Sequence, residues 1–210
     1  MASPSNIQDA IRRIAEANGE DPATLLAYAE RESAFNPQAR SSKTIKGLFQ
    51  MTRGLRQQYG IGESDDPETQ ATGYMPFMRD TREEMGRILG RRPSDAEVYL
   101  GHHYGASRAA RTLGMDPDMP VDQVFSATER AGNPHFDRAG TIGNLNSSIM
   151  SDIEKRRSRF GGEGLDFSSA VGASAPEPLD FGSKAVADHV IPLQSQGSSG
   201  PLDFSSVAQQ

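Results

Sequence analysis

Glu32 is the residue whose setting points most directly to chemistry. Leu25, Tyr28, Ala29 and Glu32 recur at spacings of three and four, so on a helix they share one face. Leu25 and Ala29 turn that face towards a core, while Glu30 and Arg31 point elsewhere. A carboxyl emerging among apolar neighbours loses hydration, which disfavours its charged form. It also falls in the last turn of the expected helix, where the macrodipole opposes negative charge. Both effects push its pKa upward. A carboxylic acid that keeps its proton near neutral pH is what protonation of a glycosidic oxygen requires. Spacing alone also fits the commoner arrangement, a half-buried glutamate paired with an arginine.

The rest of the chemistry is bounded by what is sparse. There is no cysteine, so neither a disulfide scaffold nor a thiolate metal site is available. His103, His135 and His189 have no ligand-like spacing with acids, so no metal site and no cofactor are expected. The net charge of −6 is concentrated in residues 161–210, where six acids stand against Lys184 alone. The preceding residues are close to neutral and show no phosphate-binding stripe, which argues against a nucleic-acid partner. A hydrophobic share of 35% supports a folded core of moderate size, and no run approaches the length of a membrane-spanning segment. The opening Met-Ala-Ser-Pro-Ser-Asn lacks the basic and apolar regions of a secretory signal.

These residues need elements to hold them. Ile7, Ala10, Ile11 and Ile14 form a helical stripe over 5–18, closed by Gly19. Asp21-Pro22 caps a second helix that runs to about Ser33, because Asn36-Pro37 cannot continue it. Residues 38–46 read as a loop with room for a short hairpin, and Gly47 to about Tyr59 as a third helix. Asp66-Pro67 opens another, in which Pro76 predicts a kink or break. Ser94 and Glu97 form a capping box for the helix that carries Tyr99 to His103. Gly105 interrupts it before Ala106–Leu113. Thr141 caps a last helix over 141–160, with Ile142, Leu145, Ile149 and Ile153 on one stripe.

Glu32-Ser-Ala-Phe35-Asn36-Pro37-Gln-Ala39-Arg-Ser41, followed by Gly47-Leu48-Phe49-Gln50, resembles the signature of the soluble lytic transglycosylase family. That pattern runs Glu-Ser-x-Phe-Asn-Pro-x-Ala-x-Ser, a short gap, then Gly-Leu-x-Gln. Thr44-Ile45 stands where the family often has Gly-Ala. The resemblance implies a goose-lysozyme-like fold and a mechanism with a single carboxyl. Glu32 is then the catalytic acid that cleaves peptidoglycan between N-acetylmuramic acid and N-acetylglucosamine, closing a 1,6-anhydro ring. Ser41 and Gln50 match family positions that contact the sugar, and Phe49, Tyr99 and His102 complete the expected substrate-binding set. Asn36 suits a loop organiser and Phe35 a core anchor. Cellular members carry an Ala-Tyr-Asn-Ala-Gly block where this chain has Tyr99-Leu-Gly-His102-His103-Tyr104-Gly105, which puts His102 at the tyrosine place. A Tyr-Leu-x-His-x-x-Gly version, like the later Asn133-Pro-His-Phe136 segment, resembles the transglycosylase domains of bacteriophage virion proteins. His102 is thus either a hydrogen-bond partner of Glu32 or the sugar, or an ordinary core histidine. With no tryptophan in the chain, sugar stacking falls to Tyr59, Tyr74 or Tyr104.

The expected fold is therefore mainly α, lysozyme-like, one helical domain over 1–160 with at most a small hairpin. A low-complexity tail follows over 161–210. Leu-Asp-Phe occurs in it three times, ending at Phe167, Phe181 and Phe204. The irregular spacing excludes a structural repeat and leaves two readings, chance or a multivalent docking element for a portal, tail or ejection protein. The expectation is a virion enzyme acting on the host wall during genome delivery. Its alternatives are a catalytically degenerate virion protein and a wall-remodelling enzyme of a bacterial secretion system.

Overall fold

The computed structural model describes residues 4–161. The expected Leu-Asp-Phe docking elements, like the rest of the tail beyond residue 161, lie outside the described residues. The order of elements is α1 (Pro4–Ala17), α2 (Pro22–Ser33), β1 (Ile45–Lys46), β2 (Met51–Thr52), α3 (Arg53–Gln58), α4 (Pro67–Leu89), α5 (Asp95–Tyr104), α6 (Ala106–Leu113), a 3₁₀ turn (Val121–Gln123), α7 (Ala127–Gly132), α8 (Pro134–Ala139) and α9 (Ile142–Arg159). The mainly helical expectation with one small hairpin holds.

Helix α2 is the hub. Its residues from Ala23 to Ala29 are all buried, with α1 and α9 packed along it. Asp21 accepts from the Ala23 amide at 3.0 Å and Pro22 occupies the first turn, as the sequence leads one to expect. The helix ends abruptly because Ala34 and Phe35 both adopt left-handed backbone, with φ of 49° and 63°. Their amides return to the Glu30 and Ala29 carbonyls, satisfying groups that a helix end otherwise leaves open. Glu32 is thereby fixed in the last turn.

The segment 47–52 corrects the expectation of a helix from Gly47 to Tyr59. Ile45 pairs with Thr52 and Lys46 with Met51, and the four residues between them make the hairpin turn. Helix α3 begins only at Arg53. The reason lies far away in sequence. Gln70 on α4 accepts from the Leu48 amide through Oε1 and donates to the Pro37 and Ser64 carbonyls at 2.9 Å each. Arg56 donates to the Met51 carbonyl at 2.9 Å, and Lys46 to that of Glu63 at 2.9 Å. Gly47, at φ 95°, is needed because a Cβ there would stand 2.6 Å from Gln70 Oε1.

Pro76 does not break α4, which runs unbroken to Leu89. A mid-helix proline costs about 3 kcal/mol. Tyr74, Met75, Phe77 and Met78 around it are buried, and each contributes roughly 1.5–3 kcal/mol by leaving water. Packing outweighs the lost bond. The two capping boxes at Ser94–Glu97 and Ser126–Glu129 are formed, though the second and the short helices α7 and α8 give little sequence periodicity. In α9 the stripe Ile142, Leu145, Ile149 and Ile153 is buried as expected.

Gly73, inside α4, tests how tightly the hairpin-to-α4 region is packed. A Cβ there would collide with the Ile61 side chain and lie 2.7 Å from the Tyr59 carbonyl oxygen, whereas a Cβ at Gly54 meets nothing within 4 Å. Gly73→Ala is expected to destabilise by about 1–3 kcal/mol through overpacking. Gly54→Ala should be neutral or stabilising by up to about 1 kcal/mol. Urea unfolding of the two variants checks both signs.

Candidate active site

Glu32 is 5% exposed, so its carboxyl leaves bulk water. Tyr99, from the middle of α5, donates its hydroxyl to Glu32 Oε1. His102, one turn on, places Nε2 at 3.5 Å from the same oxygen, an ion-pair distance without the alignment of a good hydrogen bond. Its other ring nitrogen faces the Tyr74 hydroxyl of α4 at 3.1 Å. Behind the phenol, Arg31 Nε donates to the Tyr99 oxygen at 2.8 Å. The contacts of Glu32 described here all fall on Oε1. That leaves Oε2 as the oxygen from which a proton can be delivered.

The electrostatics depart from the expectation of a raised carboxyl. Burial pushes Glu32 up, but His102 beside it, the Tyr99 hydroxyl and the charge of Arg31 together hold it below its ordinary value. The neighbours, not the helix dipole, decide the sign. Burial also pushes Tyr99 and Tyr74 well up, so both phenols keep their protons; Tyr99 donates to Glu32, while the direction of the Tyr74–His102 bond follows the imidazole tautomer.

The other expected residues fall on the hairpin side. Gln50 is 1% exposed and sits in left-handed backbone, φ 44°. Its Nε2 donates to the Gly47 and Ala39 carbonyls at 2.7 and 3.1 Å, while its Oε1 has no protein partner. Ser41 Oγ is likewise buried without a protein partner. Neither has a described contact with Glu32. Phe49 is buried and stacks face to face on Tyr74, ring centroids 4.0 Å apart. Its face is therefore covered, and it links the hairpin to the acid through Tyr74 and His102. Tyr74 and Tyr104 are buried among other aromatic rings, and Tyr59 is the part-exposed member of that trio, its hydroxyl on Asp80 at 2.9 Å.

Two assignments change. The tyrosine on the acid is Tyr99, three residues earlier than the place given to His102, and both reach Glu32. Arg31, expected to point away, lies 8% exposed beside the site and pairs with Asp152 of α9. Nothing in helical spacing marks it, because the length of its side chain lets it curl back. Asp152 had one faint signal, its i,i+4 pair with Arg156. No group of three or more His, Asp or Glu residues suited to a metal is present among the described residues.

Residues 9–112, just under half of the chain, match the model of the family described as Transglycosylase SLT domain. The chain is 32% identical over 114 residues to membrane-bound lytic murein transglycosylase F 2 of Alkalilimnicola ehrlichii, covering 50% of this chain and 25% of that protein. It is 28% identical over 114 residues to membrane-bound lytic murein transglycosylase F of Desulfosudis oleivorans, covering 51% and 25%. The protein of the same name from Vibrio cholerae is 25% identical over 163 residues, covering 68% and 31%. The chain thus spans about a quarter to a third of the length of these curated relatives. No helix among its described residues is long and apolar enough to cross a membrane.

The lowered carboxyl has a consequence for stability. A group held below its unfolded-state value, about 4.3 for glutamate, contributes stability that is full above that pH. The contribution is lost as pH falls through the folded value. The stability of the wild type relative to Glu32→Gln is therefore expected to be constant above about pH 5 and to decline as pH falls below the unfolded value of about 4.3, through the lowered folded value. Urea unfolding across that range checks it; a constant difference would mean that the partners do not favour the carboxylate.

Proposed function

We propose, from the match of residues 9–112 to the SLT domain, that the protein is a peptidoglycan lytic transglycosylase with Glu32 as its single acid and base. The observation that carries this reading is a buried glutamate at the family's catalytic position, held on one oxygen by Tyr99 and His102. Glu32 protonates the oxygen bridging N-acetylmuramic acid to N-acetylglucosamine, and the bond from that oxygen to the muramyl C1 breaks. The muramyl acetamido group stabilises the cationic C1. Glu32, now a carboxylate, takes the C6 hydroxyl proton as O6 bonds to C1, which closes the 1,6-anhydro ring and restores the acid. One carboxyl suffices, unlike the pair used by most glycoside hydrolases.

A carboxyl held low in the free site still has a route to its proton. Covering the carboxyl with sugar removes what solvent still reaches it and disfavours its charged form, so bound substrate favours the protonated acid. Ser41 Oγ and Gln50 Oε1, both buried without a protein partner, serve the sugar, and Phe49 backs the acid through Tyr74 and His102.

The Tyr99-Leu-Gly-His102-x-x-Gly105 pattern supports a finer reading, a phage-virion enzyme that opens the host wall during genome delivery. In that reading, the Leu-Asp-Phe elements of 161–210 dock it to a virion protein. Two alternatives share parts of the evidence: a wall-remodelling transglycosylase of a secretion system shares the chemistry, and a degenerate virion protein lacks it. The intact Glu32–Tyr99 contact favours an active enzyme.

Purified protein incubated with peptidoglycan is expected to release anhydro-muropeptides identifiable by mass spectrometry. Glu32→Gln should lower the rate roughly 10²–10⁴-fold, the usual share of a general acid. Products with only reducing ends would make it a hydrolase, and no clearing by the wild type would favour the degenerate alternative.

A further inference from the structure

Behind the Glu32 carboxyl stands a line of three side chains whose polarity cannot be reversed. Tyr99 touches Glu32 Oε1 through its hydroxyl, and Arg31 Nε donates to that phenol oxygen at 2.8 Å. Asp152 Oδ2 accepts from Arg31 Nη1. A guanidinium has donors only, so its bond occupies an acceptor position on the Tyr99 oxygen. The single phenolic hydrogen is left for Glu32. The His102 side lacks this certainty, because an imidazole facing Tyr74 at one nitrogen can adopt either tautomer.

Asp152 is itself held. Arg156 Nε donates to it at 3.0 Å, and Arg156 and Arg159 reach Glu30 Oε2 at 3.0 and 2.6 Å. Helix α9 thus grips Glu30 and Arg31, the two residues immediately before the acid. It lies wholly beyond residue 112, where the domain match ends.

Resting on the reading of Glu32 as the acid, we propose that Arg31 and Asp152 are positioning residues for its carboxyl. They act through Tyr99, and α9 is therefore part of the catalytic unit. Arg31 turns the phenol towards Oε1, so that the transferable proton resides on Oε2. Asp152 keeps the buried guanidinium in register with the phenol. The ionisable groups facing Glu32 are Tyr99 and His102 from α5, Arg31 from α2 and Tyr74 from α4. Arg31 reaches the Glu32 carboxyl through the Tyr99 hydroxyl, and Asp152 reaches it through Arg31.

The test uses the full chain with Tyr99→Phe, Arg31→Gln, Arg31→Lys, Asp152→Asn and the Arg31→Gln/Tyr99→Phe double variant, assayed on uncrosslinked glycan strands. Arg31→Gln is expected to lower kcat about tenfold, within what a misplaced catalytic group loses, with KM little changed. Removing a positive charge and a polarised donor raises the Glu32 pKa, so the alkaline limb of kcat/KM should move to higher pH. Arg31→Lys, which keeps the charge, should restore part of the shift. The double variant should be no slower than Tyr99→Phe, because both remove one interaction. Should Arg31→Gln fail to fold, the isosteric Asp152→Asn should give the same changes in smaller measure.

Additive losses with an unmoved limb would overturn the proposal and leave Arg31 a structural residue. A ¹³C titration of the Glu32 carboxyl separates the two readings. An inactive wild type whose carboxyl still shifts in Arg31→Gln would sink the enzymatic reading but keep the positioning link. An active wild type, dead as Glu32→Gln, with no shift in Arg31→Gln would sink the positioning link alone.

Discussion

A carboxyl has been taken out of water, and much of the arrangement around it answers the cost of doing so. Moving one ion into the interior costs several kcal/mol even after relaxation, so Glu32 requires donors within reach. Tyr99 supplies one on Oε1, and His102 Nε2 stands 3.5 Å from the same oxygen. Tyr99 is buried in turn and its oxygen is met by Arg31, a second buried charge that needs its own counterion. Asp152 provides that, and Arg156 then braces Asp152 and Glu30. Exposure rises over the outer members of this chain, from 7% for the Arg31 side chain to 19% for Asp152 and 23% for Arg156. Compensation ends where water can complete it.

The backbone obeys the same centre. Among the described residues, the non-glycine positions with positive φ are Ala34, Phe35 and Gln50. Such conformations cost of order 1–3 kcal/mol each and persist where surrounding contacts over-determine them. Ala34 and Phe35 are held by amide bonds back into α2, and Phe35 packs edge-on against Phe160 with ring centroids 5.9 Å apart. Gln50 is held by its own side chain on the Gly47 and Ala39 carbonyls. All three flank or belong to the two motif blocks, Glu32–Ser41 and Gly47–Gln50. Strain is therefore confined to the residues that bring acid and hairpin together.

What the sequence made legible follows the range of the forces involved. Helices α1, α2, α5, α6 and α9 announce themselves through local periodicity, caps and glycine stops, and the structure keeps them nearly to the residue. The turn and second strand of the hairpin read as helix because they are captured by Gln70 and Arg56, polar contacts from beyond 47–52 that no window over those residues contains. Pro76 does not break its helix, because local chain chemistry cannot weigh the burial of Tyr74 and Phe77. In the site, Glu32 was legible from face and motif. His102 was placed on the acid only as one of two readings, and Tyr99's contact with it was not foreseen. Arg31 and Asp152 were missed, since their meeting depends on how α9 crosses the end of α2.

The direction of the Glu32 shift is likewise set beyond the helix: burial and dipole raise the carboxyl, and partners from α5 together with Arg31 prevail over them. A site made only of apolar walls would hold the proton firmly and give a poor base. One made only of cations would never hold it and give a poor acid. A single carboxyl asked to donate and then accept within one turnover needs both influences, large and opposed, so that a modest change tips the balance. Tyr99, His102 and Arg31 opposing burial around one carboxyl is such an arrangement, and in the proposed reaction bound sugar is what tips it.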